Sequence, residues 1–226
     1  EQAPDLFDSE GKLKEIKLVI WTTTPWTIPA NEAISVNQKL DYVIAQSADR
    51  SLIILANDLL EKVSKSVGIS YEKRVFIKGS RLDGVIYTHP LFDKKSPVVL
   101  GGDYITTESG TGLVHTAPGH GLEDYLVSIE NGLEVLNTVK ANGTFQDDVA
   151  HFAGQFVFNA NDNIIELLKE KDVLLSQSDY EHSYPHCWRH KTPVIFRATP
   201  QWFISMDANK LLEKSLSSVD SVRWEP

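Results

Sequence analysis

The stretch "DYVIAQSADRSLIILA", residues 41–56, decides how the first half of this 226-residue chain is read. Its two apolar runs, "DYVIAQS" (41–47) and "SLIILA" (51–56), are short and rich in β-branched residues, and the polar "ADR" between them is turn-like. Runs of this length and composition predict strands. The same signature recurs on both sides. "EIKLVIW" (15–21) comes before, and "RVFIKG" (74–79), "GVIYTHP" (84–90), "SPVVLGGDYITT" (96–107) and "TGLVHT" (111–116) follow. Gly and Pro punctuate the series, which predicts a closed or strongly curved sheet rather than an alternating βαβ array.

Helical periodicity is confined to a few segments. "NDLLEKVSKSVG" (57–68) puts Leu59, Leu60, Val63 and Val67 on one face, with Asp58 and Glu61 spaced as a capping pair and Gly68 as the stop. "GLEDYLVSIENG" (121–132) does the same with Leu122, Leu126 and Ile129, ending at Gly132. "NDNIIELLKEKDV" (161–173) groups Ile164, Ile165 and Leu168 behind an Asn163 start, and "DANKLLEKSL" (207–216) is a further helix. There is no internal repeat. The expected class is α+β, with peripheral helices around a barrel-like core of short strands.

Composition is that of an ordinary globular domain, 42% hydrophobic and 23% charged. No apolar run approaches the roughly 20 residues of a membrane span. No signal-peptide core is present either, so the expected location is cytoplasmic, or organellar in a eukaryote. The single cysteine, Cys187, excludes an internal disulfide. The chain opens on Glu1, and its only methionine is Met206. With the polar "EQAPDLFDSEGKLKE" at one end and "SLSSVDSVRWEP" stopping on a proline at the other, it reads as a fragment of something larger. A net charge of −9 argues against a basic field over the whole surface. Locally, "HSYPHCWRHKTPVIFR" (182–197) collects His182, His186, Arg189, His190, Lys191 and Arg197 without an acid. It is either a docking patch for nucleic acid or a solvated loop with a charge run.

Two segments carry chemistry. In "GTGLVHTAPGHGLEDY" (110–125) a strand ends near His115, a Pro/Gly loop follows, and a helix starts near Gly121 with Glu123 and Asp124 in its first turn. First-turn acids complement a helix dipole, which is the plain reading of both. The surrounding His115, Thr116 and His120 allow more. His115, His120 and Asp124 make a two-His-one-carboxylate metal set; a His–Asp base needs a nucleophile; and a carboxylate beside a histidine wall suits the α-ammonium and side chain of an amino acid ester. The other segment, "WTTTPWTIPAN" (21–31), delivers a strand into Thr22, Thr23 and Thr24, where Pro25 and Pro29 stop it. Neighbouring side chains of an extended strand alternate sides, so all three hydroxyls face one surface only if the backbone bends at Pro25. Threonine hydroxyls donate and accept without ionising, which suits holding a ribose, a carbonyl oxygen and a water; threonine also simply favours strands.

Together with "SYPHCWRHKTPVIFRATPQWFISMD" (183–207), these segments closely resemble the editing domain (connective polypeptide 1) of bacterial-type isoleucyl-tRNA synthetases, from about Lys17 to Asp207. Sister valyl and leucyl enzymes carry TTRP followed by an acid and Thr; here Thr24 replaces the arginine and Trp26 the acid. "KVSKS" (62–66) matches the nucleotide-binding loop of class I synthetases in spelling, but it falls mid-helix with no "HIGH" upstream. The resemblance implies a single editing domain over residues 1–226, an insertion whose Rossmann catalytic and anticodon-binding domains are absent here. It implies hydrolysis of valine misattached to isoleucine tRNA and no charging of tRNA. One missing methylene is worth only about 1–3 kcal/mol in an apolar pocket, a limit for which isoleucyl-tRNA synthetase is itself the standard illustration.

By motif position, Asp124 would hold the α-ammonium, and His115 would border the side-chain pocket and exclude isoleucine. Thr22, Thr23, Thr24 and Thr27 would surround the ester and terminal ribose, with Thr23, Thr24 and Asp124 as the catalytic set and Trp21 and Asn31 binding substrate. A bound water would attack the ester. Arg189 and Lys191 would meet the tRNA. The implied partners are valine-carrying isoleucine tRNA and the rest of the synthetase chain, with no membrane and a monomeric domain. No cofactor is implied within the domain; ATP and Mg belong to the full-length synthetase. Some family members hold structural zinc through cysteine pairs that include "CWRC", but this chain reads "HCWRH" (186–190), so no metal is expected.

Overall fold

A computed structural model describes residues 14–181, 183–223 and 225, so the polar opening segment and His182 lie largely or wholly outside the described residues. The hairpin at 41–56 forms as β3 (Asp41–Ser47) and β4 (Leu52–Ala56), antiparallel, with Ile44 opposite Ile54. β1 (Ile16–Leu18) adds in parallel to β4, and β5 (Tyr71–Lys78) adds antiparallel to β3. The order of this four-stranded sheet is β1-β4-β3-β5. The second four-stranded sheet has the order β6-β7-β2-β8, built from β6 (Ile86–Thr88), β7 (Lys95–Leu100), β2 (Ala33–Val36) and β8 (Leu113–Thr116). The α+β class holds, and the strands form two mixed sheets that share a core.

That shared core combines Tyr42, Val43, Leu52 and Leu55 of the first sheet with Ile34, Val36, Val98 and Leu113 of the second. Tyr42 is fully buried and joins the sheets through its phenol, which accepts from Asn37 N–H at 3.0 Å and donates to the Gly112 carbonyl at 2.7 Å. Burial pushes this phenol up to about 12. Gly112 must be glycine: its φ is +76°, and a Cβ there would run into the Cβ of Ala56. The loop entering β8 is therefore fixed against β4.

The helices follow their expected spans with several corrections. α1 (Leu60–Val67) buries Leu60 and Val63 and stops at Gly68 in the left-handed region, φ +70°. A 3-10 turn over Asn57–Leu59 precedes it, so Asp58 and Glu61 make no side-chain cap. "KVSKS" lies within α1. α2 (Leu122–Asn131) stops at Gly132 as expected, but Leu122, Leu126 and Ile129 are exposed; Val127 and Ser128 are the residues it buries. This helix packs by a narrow edge, with Val127 against Ala33 and Val99, so its apolar face stays open. α3 starts at Ala160, not Asn163, and runs to Glu170, burying Ala160, Ile164 and Leu168. α4 (Leu211–Ser221) follows left-handed Asn209 and Lys210 and extends through "SLSSVDS", which the sequence left without a terminating element. The run at 96–107 is strand only as far as Leu100; Gly101 packs too closely on Ser35 and Ile105 to carry a Cβ, and Gly102 turns the chain away at φ +88°. No helix among the described residues is long and apolar enough to cross a membrane.

Candidate active site

Pro25 converts the end of the threonine run into a 3-10 helix, Pro25–Ala30, whose Trp26, Thr27, Ile28, Pro29 and Ala30 are buried. The preceding residues are knotted by local hydrogen bonds. Thr22 Oγ1 accepts from Thr24 N–H at 3.0 Å, and the Thr24 carbonyl accepts both Thr27 N–H at 3.1 Å and the Thr27 hydroxyl at 2.9 Å. Such side-chain-to-backbone bonds compete with strand pairing and turn the chain. The helix is held from outside by Asn161 at the start of α3, whose Oδ1 accepts from Trp26 N–H at 3.0 Å. Trp26 and Ile28 then pack with Phe145, Val157 and Ile164 in a second core cluster.

The bend brings Thr22, Thr23 and Thr24 onto one wall of a cleft of about 460 Å³. Trp21, Thr27, His115, His120 and Asp124 also line it. The Thr23 and Thr24 hydroxyl oxygens lie 3.5 Å apart, and Trp21 closes the rim edge-on against Tyr180 with ring centroids 5.3 Å apart. Asp124, in the first turn of α2, accepts Ala117 N–H at 2.9 Å through Oδ2. Burial pushes its carboxyl up to about 6 against the pull of that hydrogen bond, with the Glu123 charge adding to the rise.

Both cleft histidines are saturated by protein. His115 Nδ1 lies 2.7 Å from Asn31 Nδ2, and its Nε2 lies 3.0 Å from Thr27 Oγ1. Burial lowers its imidazole to about 3, with His89 and His120 acting in the same direction. His120 Nδ1 faces the Phe196 carbonyl at 3.0 Å, and its Nε2 faces Thr138 Oγ1 at 3.1 Å; burial again lowers the pKa. No group of three or more His, Cys, Asp or Glu side chains among the described residues is arranged to hold a metal ion. The set His115, His120 and Asp124 is therefore a correction: its members share a cleft, but the ring nitrogens are turned to other partners.

Asn31 does not line the cleft and stands behind His115. Arg189 and Lys191 are exposed on a turn closed by the His186–Pro193 bridge, with the Arg189 guanidinium 4.8 Å over the Trp188 ring. Cys187 Sγ lies 3.3 Å from His190 Nδ1 in the same turn. The ribbon that carries this turn also supplies Ser183, Tyr184, Pro185 and Phe196 to the cleft wall, and Tyr104, Thr106 and Ser109 complete it from the β7–β8 connection. Sequence reasoning missed these residues. The one available signal was that the ribbon falls within the third resembling segment.

No protein-family profile matches the chain. An isoleucine–tRNA ligase of Prochlorococcus marinus (strain NATL1A) is 64% identical over the whole of it. The chain belongs to the isoleucyl-tRNA synthetase family. It spans 23% of that relative's length. Among solved structures, the leucyl CP1 domain GlLeuRS-CP1 superposes with a TM-score of 0.59 at 16% identity, covering 74% of this chain and 85% of that one. The editing domain of the P. falciparum cytosolic leucyl-tRNA synthetase gives 0.56 at 12% identity, covering 70% and 78%. The isoleucyl-tRNA synthetase relationship thus comes with the fold of the synthetase editing domain.

Proposed function

We propose that this domain hydrolyses the ester of valine misattached to isoleucine tRNA. The observation that carries the reading is Asp124, a partly desolvated carboxylate facing a wall of uncharged hydroxyls. A carboxylate in such a place pairs with a cation, and the α-ammonium of an aminoacyl ester is the cation that arrives with an ester attached. The names of the relatives support an editing role in general. Thr27 is the cleft hydroxyl that touches a histidine, His115 Nε2 at 3.0 Å, and its proton goes to the Thr24 carbonyl at 2.9 Å, while the second nitrogen of His115 and both nitrogens of His120 face other protein groups. A covalent threonine intermediate therefore lacks its activator. Instead, Thr23 and Thr24 position a water and the ester oxygens, and the free ribose hydroxyl supplies part of the proton transfer. The sieve in this reading is His115, whose buried ring lines the same cleft as Asp124. Arg189 and Lys191 dock the tRNA, and the chemistry needs no cofactor within the domain.

Single-turnover deacylation tests this directly. Wild-type protein should deacylate valyl-tRNA with or without a chelator, and Asp124→Ala should lose that activity while remaining folded. His115→Ala should raise the rate on correctly charged isoleucyl-tRNA toward the rate on valyl-tRNA, because exclusion of one methylene is steric and easily lost. Activity retained by Asp124→Ala would refute the assignment.

A further inference from the structure

The hydrogen bonds behind the cleft run in one direction only, and Asn31 sets that direction. Its Nδ2 has two protons. One goes to the Ala33 carbonyl at 2.8 Å, a partner that can only accept, and the other points at His115 Nδ1 at 2.7 Å. Asn31 Oδ1 in turn receives the Tyr87 phenol proton. His115 Nδ1 must therefore be the bare nitrogen, and the ring proton sits on Nε2. That proton meets Thr27 Oγ1 at 3.0 Å, and the Thr27 hydroxyl passes its own proton to the Thr24 carbonyl at 2.9 Å. Backbone carbonyls at both ends fix the polarity of the whole chain of bonds. Asn31 reaches His115 from 84 residues away and does not line the cleft.

We propose that Asn31 is a positioning residue for specificity: it fixes His115 as the neutral Nε2–H tautomer, with both nitrogens consumed by protein. The ring then presents only its carbon surface to the cleft, so it selects by shape and takes no part in proton transfer. This rests on the editing reading for its effect on substrate, but the tautomer itself does not.

The test uses Asn31→Asp, which keeps the size of the side chain and reverses its polarity, since a carboxylate accepts where the amide donated. Nitrogen-15 NMR of histidine-labelled protein should find wild-type His115 protonated on Nε2 alone and unchanged from pH 5 to pH 8. In Asn31→Asp the ring proton should move to Nδ1 and the Thr27 hydroxyl should turn toward Nε2, giving up its bond to the Thr24 carbonyl. With that anchor released the ring loses its fixed seat, and the ratio of single-turnover rates on valyl- and isoleucyl-tRNA should fall at least about tenfold, within the range one methylene can provide. Thr27→Val, which removes the other anchor at nearly constant shape, should lower the same ratio if Asn31→Asp does not fold. An unmoved tautomer in Asn31→Asp, or a moved tautomer with an unchanged ratio, overturns the proposal. If the wild type fails to deacylate valyl-tRNA, the editing reading falls, and the NMR result still decides the tautomer.

Discussion

Asp124 is pulled in two directions by its surroundings. The Ala117 N–H stabilises its ionised form, while burial disfavours that form more strongly, so its carboxyl is raised to about 6. A raised folded pKa means that the fold binds this proton more tightly than the unfolded chain does. The stability this contributes is present at low pH and is lost as pH rises through the folded value. Urea titrations of wild type and Asp124→Asn should therefore diverge between about pH 4 and pH 6.5, with the wild type losing ground, and run parallel above. A shift of this size corresponds to at most about 3 kcal/mol, and partial solvent access reduces it. A constant difference across that range would contradict the burial argument. At this scale the sequence was informative about types and silent about partners. Asp124 and His115 stood out because acids and histidines are chemically loud. The groups that tie them down are a backbone N–H at Ala117 and an amide 84 residues away, and neither leaves a local trace.

The start of the 3-10 helix at Pro25–Ala30 is held by an acceptor from outside it. Asn161 Oδ1 receives Trp26 N–H, which is otherwise one of the orphan donors of a helix start. Asn161→Ala should cost about 1–3 kcal/mol in chemical denaturation, the price of leaving a buried donor unpaired. An unchanged midpoint would mean that water replaces the amide freely. Element by element, the strands at 41–47 and 51–56 were legible because alternation, a short turn and β-branched residues all agreed. β2 (Ala33–Val36) was not, because four residues leaving a proline-rich loop carry too little pattern. α2 was legible as a helix and misleading as to its face. Its apolar periodicity at Leu122, Leu126 and Ile129 points outward, and Ser128, hydrogen-bonded to the Tyr125 carbonyl at 2.6 Å, goes inward instead. Amphipathic spacing identifies a helix but does not say what lies against it.

Across the whole molecule the charge is uneven: a body of net charge −9 carries a ribbon at 183–197 that has no acid and also forms part of the cleft wall. The double variant Arg189→Ala/Lys191→Ala should weaken binding to tRNA and reduce the slope of log affinity against log salt by about 1–2, since each lost phosphate contact retains roughly one counterion. An unchanged slope would leave the ribbon a supporting role in the fold. The ribbon's acid-free composition was readable in advance. Its return over the cleft was not, because that depends on the bond from His120 to the Phe196 carbonyl and on Ala198 N–H reaching the Gly119 carbonyl at 2.8 Å. The enclosure so completed has a simple electrical character. Burial holds the protons on Tyr104 and Tyr184 above the ordinary phenol range and strips His115 and His120 of theirs early, which leaves Asp124 as the lining carboxylate that titrates near neutrality. Sorting by charge and sorting by size are then independent filters. Acid protonates Asp124 in the empty cleft near pH 6 and weakens the first, while the ring of His115, its pKa lowered by burial, stays neutral and leaves the second intact. With Asp124 protonated, the cleft should lose its preference for a cationic aminoacyl ester over an uncharged hydroxy-acyl one, and still refuse the larger side chain.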